Sequence, residues 1–100
     1  AVSSMAECGP VDVVVIALKA HQIYPVLNDL PKLFHEQTVV VSMQNGLPWW
    51  YFQKHGGAFD GRPLRSVDPE GRLLEAIPAS RIVGCIPYPA AYLRAPGEVV

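Results

Sequence analysis

The sequence predicts an α/β fold with a mostly parallel sheet and flanking helices, and three features predict it. Two apolar runs of strand length, residues 11–18 and 38–43, are rich in β-branched side chains and hardly alternate with polar ones. Strands covered on both faces of a parallel sheet read this way. Between them Ile23, Val26, Leu27, Leu30 and Phe34 recur at the spacing of one helix face. A strand, crossover and strand in this order is right-handed in nearly all known cases, so both strands should end on the same edge of one sheet.

Residues 1–10 are small and polar and close on Gly9-Pro10, which reads as a loop or a frayed helix. The first strand follows over 11–18 and stops at Lys19. A helix is expected from about His21 to Phe34, with Pro25 tolerable in its first turn and Pro31 kinking it or splitting it in two. The second strand, 38–43, stops at Gln44-Asn45-Gly46, and Pro48 suits the first turn of a second helix carrying Trp49, Trp50, Tyr51 and Phe52. Gly56-Gly57 is the expected stop of that helix. Residues 59–72 hold three turn signals and read as a loop excursion in which Asp68, before Pro69, is a turn residue. One helical turn is expected over 73–77 and a third, shorter strand over 81–86. Pro96-Gly97 then turns the chain into residues 98–100, which look like the start of another strand.

One hundred residues, half of them hydrophobic, suffice for one modest core. A net charge of −1 and the lack of any lysine or arginine run leave no field for nucleic acid. The longest apolar run is far short of the roughly 20 residues that cross a bilayer, and no signal pattern precedes it, so the expectation is a cytoplasmic protein with no membrane contact. Cys8 and Cys85 form no metal or redox spacing and read as reduced, structural thiols. His21, His35 and His55 share no metal spacing either, so no metal site is expected.

In open α/β sheets ligands bind outside the carboxyl ends of the strands. Lys19 and Asn45 each follow the last apolar residue of a strand, and adjacent parallel strands bring such positions within reach of one ligand. Asn45 offers a donor and an acceptor whose rotamer the corner should hold, and Gly46 permits close approach. Two readings stand at each position: Asn-Gly also makes simple tight turns or hairpins, and a lysine at a strand end is also a solvated gatekeeper. The four consecutive aromatics read as core plus a domain interface, since a base-stacking platform needs a basic groove that is missing.

The order Lys19-Ala20-His21-Gln22, Gln44-Asn45-Gly46, Gly84, Pro89-Ala90-Ala91 and then 96–100, Pro-Gly-Glu-Val-Val, resembles ketopantoate reductase, the 2-dehydropantoate 2-reductase family, nearly end to end. The run 45–52 and Ser66-Val67-Asp68-Pro69 resemble a branch with a longer loop after Asn-Gly. The resemblance implies an NADPH-dependent enzyme reducing the 2-oxo acid ketopantoate to pantoate, on the way to coenzyme A. It implies a Rossmann-type domain, of which residues 1–100 would be the middle to carboxyl-terminal part, and a helical C-terminal domain. A homodimer of the full enzyme stays open. By the same resemblance Lys19 contacts the cofactor near the nicotinamide ribose, Asn45 touches cofactor and substrate, Gln22 faces the nicotinamide, and Ala90, or Ala91 if the match shifts by one, supplies a backbone contact. The first βαβ unit with its Gly-x-Gly-x-x-Gly fingerprint is not in these residues, since Gly56, Gly57 and Gly61 have the wrong spacing. The catalytic lysine and glutamate of the family fall beyond Val100, so the isolated chain is expected to be inactive. The other reading is a non-catalytic nucleotide-binding or interaction module built on half of such a domain, since fold alone does not decide function.

Overall fold

In the computed structural model, which describes residues 1–100, β1 (Val13–Ile16), β2 (Val39–Met43) and β3 (Ile82–Cys85) form one sheet in the order β1-β2-β3, with both pairings parallel. Ile16 lies opposite Ser42, and Ser42 opposite Gly84, so the three strands leave the sheet at the same edge. Each strand is shorter than its apolar run. One face carries Val14, Ile16, Val40 and Ser42, all buried. The other face is open: Val13 and Val15 are 55% and 53% exposed, and Val83 52%. The expectation of strands covered on both faces is therefore corrected, since the residues present form a cover on one side only.

That cover begins with the crossover. The expected helix from His21 to Phe34 is instead three 3₁₀ segments, Ala20–Gln22, Tyr24–Val26 and Leu30–Leu33. Pro25 and Pro31 each lack an N–H and sit six residues apart, so no i to i−4 ladder runs through the segment. Tighter bonds replace it, such as Val26 N–H to Ile23 C=O at 3.0 Å. The apolar spacing survives the change, and Ile23, Leu27 and Leu30 are buried against the sheet. A short helix, α1 (Met5–Cys8), precedes β1 and packs Met5 on this layer, leaving Cys8 exposed rather than structural.

After β2 the expected second helix is also absent. Residues 49–54 make successive turns, with Tyr51 N–H on Pro48 C=O and Gln53 N–H on Trp50 C=O. Four adjacent aromatics lose much rotamer freedom in a helix, and here the first is drawn into the core: Trp49 is 1% exposed. Neither Trp49 nor Trp50 finds a partner for its enclosed indole N–H. The cover is completed by Leu73 of α2 (Arg72–Ala76) and by Ile77 immediately after it.

Asp68 proves to be the anchor of that helix, not merely a turn residue. It is fully buried, and its carboxylate accepts the N–H groups of Leu73 at 3.0 Å and Leu74 at 3.1 Å and the hydroxyl of Tyr24 at 2.6 Å. Free N–H groups of a first helical turn are satisfied by a carboxylate that the turn before Pro69 carries inward. Beyond β3 a stretch without regular structure leads to β4 (Leu93–Ala95) and β5 (Glu98–Val99), an exposed antiparallel hairpin closed by Pro96-Gly97 with Gly97 at φ +80°. The strand start expected at 98 is its second arm, and the first arm has no apolar run to announce it.

Candidate functional site

The two edges of the parallel sheet differ in how their polar groups are satisfied. At the amino edge Thr38 donates its hydroxyl to Val11 C=O at 2.7 Å and accepts His35 N–H at 2.8 Å. Arg81 closes that edge by donating from Nη1 to the carbonyls of His35 at 2.7 Å and Thr38 at 3.0 Å, and His35 Nε2 meets Asp12 at 2.8 Å. At the carboxyl edge, by contrast, the side chains of Lys19 and Asn45 are exposed, Lys19 makes no ion pair, and neither side chain has a hydrogen bond. Polar groups left free at that edge are available to a ligand.

Gln44 joins the corners. Its backbone N–H donates to Cys85 C=O at 3.1 Å, holding the end of β2 to β3, and its side-chain Nε2 donates to Leu18 C=O at 2.7 Å, holding the loop after β1. Lys19 therefore follows one end of this tie and Asn45 the other. Lys19 itself is extended, at φ −65° and ψ 150°, and its N–H donates to Gln22 Oε1 at 3.0 Å while Gln22 N–H donates to Lys19 C=O at 2.8 Å. The acceptor of the Gln22 amide is thus committed to the turn, and its two donors remain exposed. Gly46 has φ +84°, a conformation that suits glycine, and a methyl group built on it would meet nothing within 4 Å. Ala90 is exposed and lies five residues past β3 in a stretch without regular structure, and no hydrogen bond ties residues 86–91 to the corner.

The structure brings Lys19, Gln22 and Asn45 to adjacent corners and does not join Ala90 to them. The expected clamp on Asn45 is not there, because its amide is solvated and unbonded. A cleft of about 400 Å³ opens beside Gly46 on the covered face, with Ser42, Leu47, Pro48, Trp50 and Gly84 among its walls. Within it Gly84 faces Trp50 closely: a Cβ at Gly84 would lie 2.7 Å from the Trp50 ring. Gln44 and Gly84 entered the sequence reading only as marks of the resemblance and, for Gln44, of a strand end, and neither was given a role there. The register shows how Gln44 could have been found: Leu18 and Gln44 both lie two residues past the paired Ile16 and Ser42.

A family model described as ketopantoate reductase PanE/ApbA matches residues 1–50. The 2-dehydropantoate 2-reductase of Mesorhizobium japonicum is 44% identical over 99 residues, which is 99% of this chain and 30% of that protein. The chain belongs to the ketopantoate reductase family. A crystal structure from Ralstonia solanacearum MolK2, provisionally described as a ketopantoate reductase, superimposes with a TM-score of 0.88 at 34% identity over 98% of this chain. The 2-dehydropantoate 2-reductase of Geobacter metallireducens GS-15 does so with a TM-score of 0.66 at 25% identity over 96% of it. The family's α/β architecture is thus the one seen here, and the chain spans about 30% of the length of the Mesorhizobium relative and of the Ralstonia structure, and 25% of the Geobacter one. No helix is long and apolar enough to cross a membrane.

Proposed function

We propose that this chain is the later part of the NADP-binding domain of a ketopantoate reductase, which reduces ketopantoate to pantoate with NADPH. The observation that carries the reading is the meeting of Lys19 and Asn45 at adjacent corners of the carboxyl edge, both unpartnered and tied through Gln44. An exposed ammonium, a free carboxamide and the open approach over Gly46 fit the polar ribose and carboxamide of a nicotinamide nucleotide. When bound, the cofactor supplies the hydride. Lys19 would hold the ribose, and Gln22 would offer its free amide donors to the nicotinamide. Asn45 would bridge cofactor and 2-oxo acid, and the exposed backbone at Ala90 would line the same edge. No glycine-rich turn in these residues holds the pyrophosphate, so that contact belongs to a preceding βαβ unit, and the proton donor to a helical domain that follows. Both would come from the rest of a full-length reductase.

The test is an NADPH titration of a full-length reductase carrying this segment, followed by cofactor fluorescence. Lys19→Ala is expected to weaken binding about tenfold, as loss of a bond to a charged group does, with the circular dichroism unchanged. Unchanged affinity would remove Lys19 from the site.

A further inference from the structure

The Leu18–Lys19 peptide is held in an unusual way for a loop. Its carbonyl accepts from Gln44 Nε2 at 2.7 Å, and its N–H donates to Gln22 Oε1 at 3.0 Å, so both polar groups of one peptide plane are occupied by side-chain amides. The two amides come from different places, one from the end of β2 and one from the turn that follows Lys19. β1 has ended at Ile16, so no strand ladder holds this peptide. A peptide outside a ladder is free to rotate about the flanking ψ and φ, and that rotation swings the Cα–Cβ bond of the next residue.

We propose that Gln44 and Gln22 form a clasp on this peptide whose purpose is to aim Lys19, and that Gln44 is a positioning residue of the cofactor site. The proposal rests on the reading of Lys19 as a cofactor contact. Gln44 is fitted to the task because its own backbone is pinned to Cys85 at 3.1 Å, which references Lys19 to the rigid β2–β3 pair rather than to its own loop. Its two neighbours in the chain and across the tie are the two candidate ligand groups, so one side chain sets the spacing between Lys19 and Asn45. A site group held before the ligand arrives loses less freedom on binding, and a misplaced one binds less well.

The test uses Gln44→Met, which keeps length and removes the donor, alone and combined with Lys19→Ala in a full-length reductase carrying this segment. Dissociation constants for NADPH are measured by titration, and amide exchange by NMR or mass spectrometry. Gln44→Met is expected to weaken NADPH about three- to tenfold when Lys19 is present, the worth of one net hydrogen bond, and less than twofold when Lys19 is already alanine. Exchange at the Lys19 amide should quicken while the amides of Val40 and Val41 keep their protection. An equal loss of affinity in both backgrounds, or faster exchange throughout the sheet, would show general loosening and overturn the clasp. No loss of affinity in the Lys19 background would overturn it as well. Should Lys19→Ala itself leave NADPH binding unchanged, the reading of Lys19 fails instead. The exchange at Lys19 then decides separately whether the clasp exists.

Discussion

Asn45 carries the sharpest expectation at the scale of single residues. Its amide is exposed and unbonded, so a ligand must order it, and that cost offsets part of the bonds it would make. Asn45→Ala is therefore expected to lower kcat/KM for the 2-oxo acid about tenfold, the low end of the effect of deleting a neutral hydrogen bond in a desolvated site. Steady-state kinetics of a full-length reductase decide this, and a change within twofold would move the site elsewhere. Asp68 behaves differently because it acts on folding. Removing its carboxylate leaves the Leu73 and Leu74 N–H groups and the Tyr24 hydroxyl without their partner, so Asp68→Ala should cost on the order of 2–4 kcal/mol in urea unfolding. The Tyr24 hydroxyl is held above its ordinary value of 10.0, first by burial and next by the Asp68 hydrogen bond. Its folded pKa exceeds its unfolded one, so its contribution to stability is complete below about pH 10 and is lost as the pH rises through the raised value. Comparing the parent with Tyr24→Phe between pH 9 and about 11 should show a steeper loss of stability in the parent.

Among the elements, β3 and the turns after β2 depend on one close contact. Gly84 faces the Trp50 ring so closely that a Cβ would stand 2.7 and 2.9 Å from two ring carbons. Gly84→Ala should therefore push the indole aside, cost about 1–3 kcal/mol as overpacking does, and change the tryptophan fluorescence. A melting temperature equal to the parent's would mean that Trp50 swings away freely. The crossover teaches the complementary lesson. Its apolar spacing placed Ile23, Leu27 and Leu30 on the sheet although the backbone is three 3₁₀ segments instead of a helix. Burial follows the side-chain pattern, while the backbone type follows the two prolines.

For the whole molecule, the open face of the sheet is the dominant feature. Val13, Val15 and Val83 stand exposed on it, the outer edges of β1 and β3 are unpaired, and the hairpin exposes Leu93 and Val99. Apolar faces and free strand edges of this kind promote association. The 100-residue chain alone should therefore self-associate at micromolar concentration in light scattering, and Val15→Lys should reduce that. It should also show no enhancement of NADPH fluorescence at micromolar cofactor, since no glycine-rich turn in it anchors the pyrophosphate. Enhancement there would show that the carboxyl edge binds the dinucleotide unaided.

The sequence by itself determined the parallel pairing of the three strands and the buried stripe of the crossover, because these follow from local composition and period, whereas β1 ends at Ile16, short of the expected stop at Lys19. Family membership was legible in the same way, from the order of short motifs along the chain. Only the tertiary structure decided that the aromatics at 49–52 make turns, that Asp68 is buried beneath Tyr24, and that Gln44 reaches across to Leu18. Each of these joins residues 26 or more positions apart, or depends on how much sheet lies above a side chain. No local period encodes such a meeting; it exists only once β1 and β2 lie side by side and their register brings Leu18 opposite Gln44.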